Sequence, residues 1–124
     1  MIMADKFELM MQQQEAFIRL LQQKRNFPNF PMDLTTKSAQ KEVKKIAFEA
    51  MGELFEAVQH LKNSKDHRAT EITELNTDEY KEEIVDCFHY ILEIVILSGI
   101  SSDELFEAFM KKGLKNIHRI ENGY

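Results

Sequence analysis

Glu82-Glu83-Ile84-Val85-Asp86-Cys87-Phe88-His89-Tyr90-Ile91-Leu92-Glu93-Ile94-Val95-Ile96-Leu97 decides the fold of this chain. An α-helix advances about 100° per residue, so with Asp86 as origin Glu79, Glu82, Glu83, His89 and Glu93 all fall within about 60° of it. The remaining azimuths are apolar, and a helix apolar on its other sides is expected to be buried. Its acidic strip then faces a partner or lines a cavity. Like charges about 4 Å apart repel by several kcal/mol at an effective dielectric near 20. A divalent cation removes that cost, and Mg²⁺ takes oxygen ligands, typically one or two carboxylates with water and substrate phosphates. The alternative is a solvated acidic face, with Glu93 paired to a Lys, His89 a satisfied core histidine and Cys87 a small buried hydrophobe.

Three further helical stretches surround this one. The first runs from about Asp5 to Arg25, with Phe7, Met10, Met11, Phe17, Ile18 and Leu21 near helical spacing. Pro28 and Pro31 end it, because the residue before a proline is pushed away from helix. The second spans about Ser38 to Lys62 and is followed by a polar connection, Asn63 to Asn76. With Glu49 as its zero, Glu53, Glu56 and His60 lie within about 40°, and Val43, Ile46, Ala47, Ala50, Leu54, Ala57, Val58 and Leu61 occupy the adjoining arc. The carboxylates therefore border the expected buried face. Thr77 is the expected N-cap of the third helix, and Gly99 is expected to stop it after about Ser98. Ser101 or Ser102 caps a fourth, running to about Glu121. The fold class is all-α, a four- to five-helix bundle.

Composition narrows the function. With 124 residues, the chain is expected to form one domain over 1–124. Asp and Glu number 21 against 16 Lys and Arg, for a net charge of −5, which argues against a general nucleic-acid binder. Only 4 Gly and 2 Pro are present, too few for the turns of a sandwich or barrel. The single cysteine, Cys87, excludes an intrachain disulfide and a Cys-based zinc site. Ile84 to Ile100 is too short and too charged to span a bilayer. The run from Met1 to Lys6 lacks a basic segment followed by an apolar core, so no signal peptide and a cytoplasmic location are expected. There is no tryptophan.

Two motif pairs carry a resemblance. Glu53-Leu54-Phe55-Glu56 on the second helix and Glu83-Ile84-Val85-Asp86 on the third resemble the ExxE and ExxD motifs of the all-α nucleoside triphosphate pyrophosphatase superfamily. That group includes MazG-like enzymes, phosphoribosyl-ATP pyrophosphohydrolase and the dimeric dUTPases. Asp86-Cys87-Phe88-His89-Tyr90 is similar to the D-x-L-H-F of the dimeric dUTPase branch, which also holds phage enzymes acting on dCTP. Lys112 through Asn116 and Arg119 to Gly123-Tyr124 resembles that branch's K-N-x-x-N-x-x-R-Q-x-x-G-Y ending. Lys62-Asn63-Ser64-Lys65 is similar to its K-W-W-K element with both tryptophans replaced. Gly113 stands where the branch has Asn, Ile120 where it has Gln, and Ile18 where a polar residue follows the base-contacting Gln that Gln14 matches. Phe48-Glu49-Ala50-Met51-Gly52-Glu53 also aligns with the E-E-x-G-E of MazG-like proteins, with Ala50 in place of a Glu.

The resemblance implies Mg²⁺-dependent hydrolysis of a deoxynucleoside triphosphate, dUTP and also dCTP, to the monophosphate and pyrophosphate. Glu53, Glu56, Glu83 and Asp86 are the implied metal ligands for Mg²⁺, with Mn²⁺ as a substitute, and Glu49 or Glu53 activates the water. Gln14, Lys62, Lys65, His89, Lys112, Asn116, Arg119 and Tyr124 are the implied substrate contacts. Lys112, Asn116 and Arg119 share one face of the fourth helix, while Lys112, Lys115 and Arg119 would also suit its dipole without any ligand. Arg68 is a further basic candidate, and Phe27, Phe30, Phe55 and His60 are candidates to stack the base. No nucleic acid or membrane partner is expected. A homodimer or dimer of dimers is expected, because one small bundle cannot bury this much apolar surface. Two other readings stand beside this one: a MazG-like enzyme of broader substrate range, and a non-catalytic helical oligomerisation or nucleotide-sensing module. A bacterial or phage setting is implied by the resemblance.

Overall fold

A computed structural model describes residues 5–123, and Tyr124 lies outside them. The chain is all-helical, with α1 (Lys6–Lys24), α2 (Lys37–Val58), α3 (Thr77–Leu97) and α4 (Ser102–Glu121). Among the described residues there is no strand, and no single helix is long and apolar enough to cross a membrane. Two compact units form. One comprises the described residues up to Met32 and from Val95 onward, and the other is Asp33–Ile94.

In the first unit the helix ends are set by short polar contacts. The Asp5 carboxylate accepts from the Glu8 N–H at 2.8 Å and starts α1. The loop that follows α1 is held back onto it: Gln22 Nε2 donates to the Pro28 carbonyl at 3.0 Å, and the Arg19 guanidinium lies 3.8 Å from the centre of the Phe30 ring. The Met32 N–H bonds the Leu97 carbonyl at 2.8 Å, satisfying an orphan acceptor of the last turn of α3. Gly99 has a φ of +77°, and a Cβ there would stand 2.7 Å from Pro31 Cβ. Both the left-handed turn and the close approach therefore require glycine. Ser101, not Ser102, caps α4, through a capping box with Glu104. Met11, Gln14, Ile18, Val95, Ile96 and Leu97 are buried, whereas α4 buries no residue.

In the second unit the Thr36 hydroxyl caps α2 by accepting from the Ala39 N–H at 3.3 Å. Ala39, Ile46, Ala50 and Ala57 form its buried stripe, with spacings of 7, 4 and 7 residues that keep one helix face. The stripe is narrower than the hydropathy pattern indicates, because Leu54, Val58 and Leu61 are exposed. The helix also ends at Val58 rather than at Lys62. Two physical features account for this. The last turn tightens, with the His60 N–H on the Ala57 carbonyl at 3.1 Å and the Leu61 N–H on the Val58 carbonyl at 3.0 Å. Asn63 then pairs with the backbone of Ile72 in both directions, at 2.7 and 2.8 Å, which draws the chain off the helix axis. Asn76, not Thr77, caps α3, its side chain accepting from the Glu79 N–H at 3.2 Å.

Helix α3 is buried on one side only. Cys87 and Leu92 are buried as the pattern requires, but Ile84, Val85, Phe88 and Ile91 are exposed. His89 is exposed rather than a core histidine. Glu93 does not pair with a lysine: it is 5% exposed, and its carboxyl is pushed up to about 7 by burial and then by the charge of Glu42.

The burial of Glu93 sets a pH dependence. The unfolded chain releases this proton near the ordinary value of 4.5 and the folded chain near 7. Between the two the folded state binds more protons, so stability falls as pH rises through that window. Glu93→Gln is expected to melt higher than the native chain at pH 8 and close to it at pH 4. Parallel melting temperatures across that range, read by circular dichroism, would contradict this.

Candidate functional site

The acidic strips of α2 and α3 meet within the second unit. Glu53, near the middle of the C-terminal half of α2, has its carboxyl held above the ordinary range. The largest cause is burial, followed by the charge of Glu56, that of Asp86, a hydrogen bond with Glu56 and the charge of Glu83. All four expected metal ligands therefore lie within electrostatic reach of one carboxylate. The spacings explain it: Glu53–Glu56 and Glu83–Asp86 are each i, i+3 pairs, which place two side chains on one helix face. Glu53, Glu83 and Asp86 are half-buried, while Glu49 and Glu56 are exposed.

Tyr90 belongs to this cluster although it carries none of the expected roles. Its phenol is raised above its ordinary value by burial first, then by the charges of Glu49, Glu53, Glu93 and Asp86. It lies four residues after Asp86 and so one turn along the same face. That spacing was the available signal for it, masked because an aromatic residue in a hydrophobic run reads as core.

His60 is the second residue whose position the sequence hides. It sits just past the end of α2, and its Nε2 is 2.9 Å from Glu83 Oε2 and 4.0 Å from Glu79 Oε2. The short contact to Glu83 is not a well-aligned hydrogen bond. Oε2 of Glu83 is buried and has no hydrogen-bond partner of acceptable geometry. The distance marks an electrostatic contact, and the misalignment leaves lone pairs of that oxygen uncommitted.

The residues fit Mg²⁺ or Mn²⁺ in donor chemistry. They supply hard oxygen atoms, an excess of negative charge at Glu53, and a buried carboxylate oxygen without a hydrogen-bond partner. Among the described residues no three His, Cys, Asp or Glu side chains converge tightly enough to hold an ion as they stand. The acids lie within electrostatic reach of Glu53, with Glu83 Oε2 2.9 Å from the His60 nitrogen.

The expected substrate contacts divide between the units. Lys62 and Lys65 are exposed on the connection after α2, and His89 is exposed on α3. Lys112, Asn116 and Arg119 are exposed on α4, in the first unit. Gln14, also in the first unit, is buried. Tyr124 lies outside the described residues. Of the candidates to stack a base, Phe30 is covered by Arg19, His60 contacts Glu83, and Phe55 is exposed.

A dCTP pyrophosphatase of Enterobacteria phage T4 is 31% identical to this chain over 61 residues. The match covers 49% of this chain and 36% of that enzyme, so the chain spans about a third of the length of the curated relative it matches. No family model matches the chain, and no solved structure matches it significantly.

Proposed function

We propose that this chain is a nucleoside triphosphate pyrophosphohydrolase that cleaves dCTP or dUTP to the monophosphate and pyrophosphate. The observation that carries the reading is the meeting of Glu53 and Glu56 with Glu83 and Asp86 on α2 and α3. The partial similarity to an enzyme named dCTP pyrophosphatase supports the same chemistry. In this reading the four carboxylates hold Mg²⁺, with Mn²⁺ able to replace it. Bound there, the ion supplies charge neutralisation for the triphosphate and a polarised water. The reaction is then largely positioning and electrostatics.

The chain's own residues take the following parts. Glu53 or Glu49 accepts the proton of the attacking water. Water oxygen forms a bond to the α-phosphorus, the bond from that phosphorus to the bridging oxygen breaks, and pyrophosphate leaves with the electron pair. Lys62, Lys65, Lys112 and Arg119 are the proposed phosphate contacts, and Asn116 a contact to phosphate or sugar. Gln14, His89 and Tyr124 complete the proposed substrate contacts.

The proposed assembly is a homodimer or a dimer of dimers. Its physical basis is the apolar surface left uncovered: on α4 Phe109 is 73% exposed and Ile120 71%, with Phe106, Leu114 and Ile117 also exposed, and on α2 Phe48 is 78% exposed. A surface of that kind on a chain this small is normally covered by another subunit.

Incubation with each dNTP and NTP in Mg²⁺, with separate assays for pyrophosphate and monophosphate, tests the activity. Turnover confined to dCTP and dUTP is the expected result, and Glu83→Gln combined with Asp86→Asn is expected to reduce it by more than about a hundredfold. Comparable turnover of many bases would replace the specificity with a broader one. No turnover in Mg²⁺ or Mn²⁺ would leave a non-catalytic module.

A further inference from the structure

We infer that His60 is the positioning residue for Glu83, its imidazole nitrogen holding one carboxylate oxygen so that the rest of the carboxylate faces a divalent cation. The inference rests on the proposed reading of Glu83 as a metal ligand and adds the residue that orients it.

Three observations carry it. The ring nitrogen is 2.9 Å from Glu83 Oε2, against 4.0 Å from Glu79. Glu79 is also largely solvent-exposed, so Glu83 is the partner for which the contact matters. Oε2 is itself buried and has no aligned hydrogen-bond partner among the described residues, so the His60 nitrogen at 2.9 Å is the polar neighbour it keeps. A buried, unbonded carboxylate oxygen that also loses this close polar neighbour is costlier still, so loss of the imidazole is expected to turn the carboxylate away from its place. The position of His60 is fixed by backbone, since its N–H bonds the Ala57 carbonyl at 3.1 Å in the tightened last turn of α2. The early end of α2 is what brings the ring to Glu83.

This is the arrangement by which proteins orient carboxylate ligands: a second group holds one oxygen and fixes the direction of the other lone pairs. It also accounts for the absence of a converged donor set among the described residues. Glu83 Oε2 lies 2.9 Å from His60, and the carboxylates of α2 and α3 lie within electrostatic reach of one another.

The test is Mn²⁺ titration of the full chain by calorimetry at fixed pH, for the native protein, Glu83→Gln, His60→Leu and His60→Gln. His60→Leu removes the nitrogen and keeps an apolar body, while His60→Gln keeps an N–H donor at similar reach. The inference expects Glu83→Gln and His60→Leu each to weaken Mn²⁺ binding, the latter by about ten- to a hundredfold, and His60→Gln to restore affinity close to native. Melting temperatures without metal separate this from a fold defect, and His60→Leu is expected to melt near the native chain. If Glu83→Gln weakens binding and His60→Leu does not, the inference is overturned while the ligand assignment stands. Equal weakening in both His60 variants would also overturn it, because the donor would then not be the agent. If the native chain binds no Mn²⁺, the metal reading itself fails and the inference goes with it.

Discussion

Glu53 shares its surroundings with three carboxylates, those of Glu56, Asp86 and Glu83, and burial raises its proton affinity further. Every other feature of the second unit takes its meaning from that repulsion. Packing acids together in a half-buried setting costs free energy that a purely structural role would not require. The small residues of the α2 stripe, Ala39, Ala50 and Ala57, allow close approach on its buried face. The carboxylates at its border lie within electrostatic reach of those of α3. In the proposed reading a divalent cation would turn the repulsion into binding energy and supply the charge a triphosphate needs beside it. A negatively charged chain can thus serve a negatively charged substrate.

Local devices keep the acids where they are. The tightened last turn of α2 and the Asn63–Ile72 pairing end that helix before Gln59. This places His60 against Glu83 instead of leaving it on the helical surface. Asn76 starts α3 and so fixes the phase of Glu79, Glu83, Asp86 and Tyr90 along one face. Glu93, further along the same helix, is buried within electrostatic reach of Glu42 and adds a second acid with raised proton affinity. The acid-rich character of this unit extends beyond the four expected ligands.

Much of this is legible in the amino-acid sequence. Periodicity gave four helices with the right order and nearly the right ends, because the turn residues Pro28, Pro31 and Gly99 are strong local punctuation. The paired spacings Glu53–Glu56 and Glu83–Asp86 were legible because a helix maps sequence separation directly onto direction. What pattern could not reveal came from tertiary context. Leu54, Val58, Ile84 and Phe88 read as core by hydropathy and are exposed in the single chain. Asn63 ended α2 through a contact to Ile72, nine residues away. Helical geometry could place His60 near the carboxylate strip only as a surface neighbour. Its contact to Glu83 depends on the helix ending early, and Tyr90 looked like one more hydrophobic residue in an apolar run.

The central claim is that these four carboxylates form a divalent-cation site, and thermal melting against Mg²⁺ concentration measures it most directly. A ligand that binds only the folded state raises stability by mass action, by about 2.7 kcal/mol at a hundred times its dissociation constant. The native chain should therefore melt higher as Mg²⁺ rises, to a degree set by occupancy. Glu53→Gln with Asp86→Asn should melt above the native chain in the absence of Mg²⁺, because the repulsion is gone, and should lose the response to the ion. A native melting temperature indifferent to Mg²⁺, or a variant that responds as strongly as the native chain, would contradict the assignment.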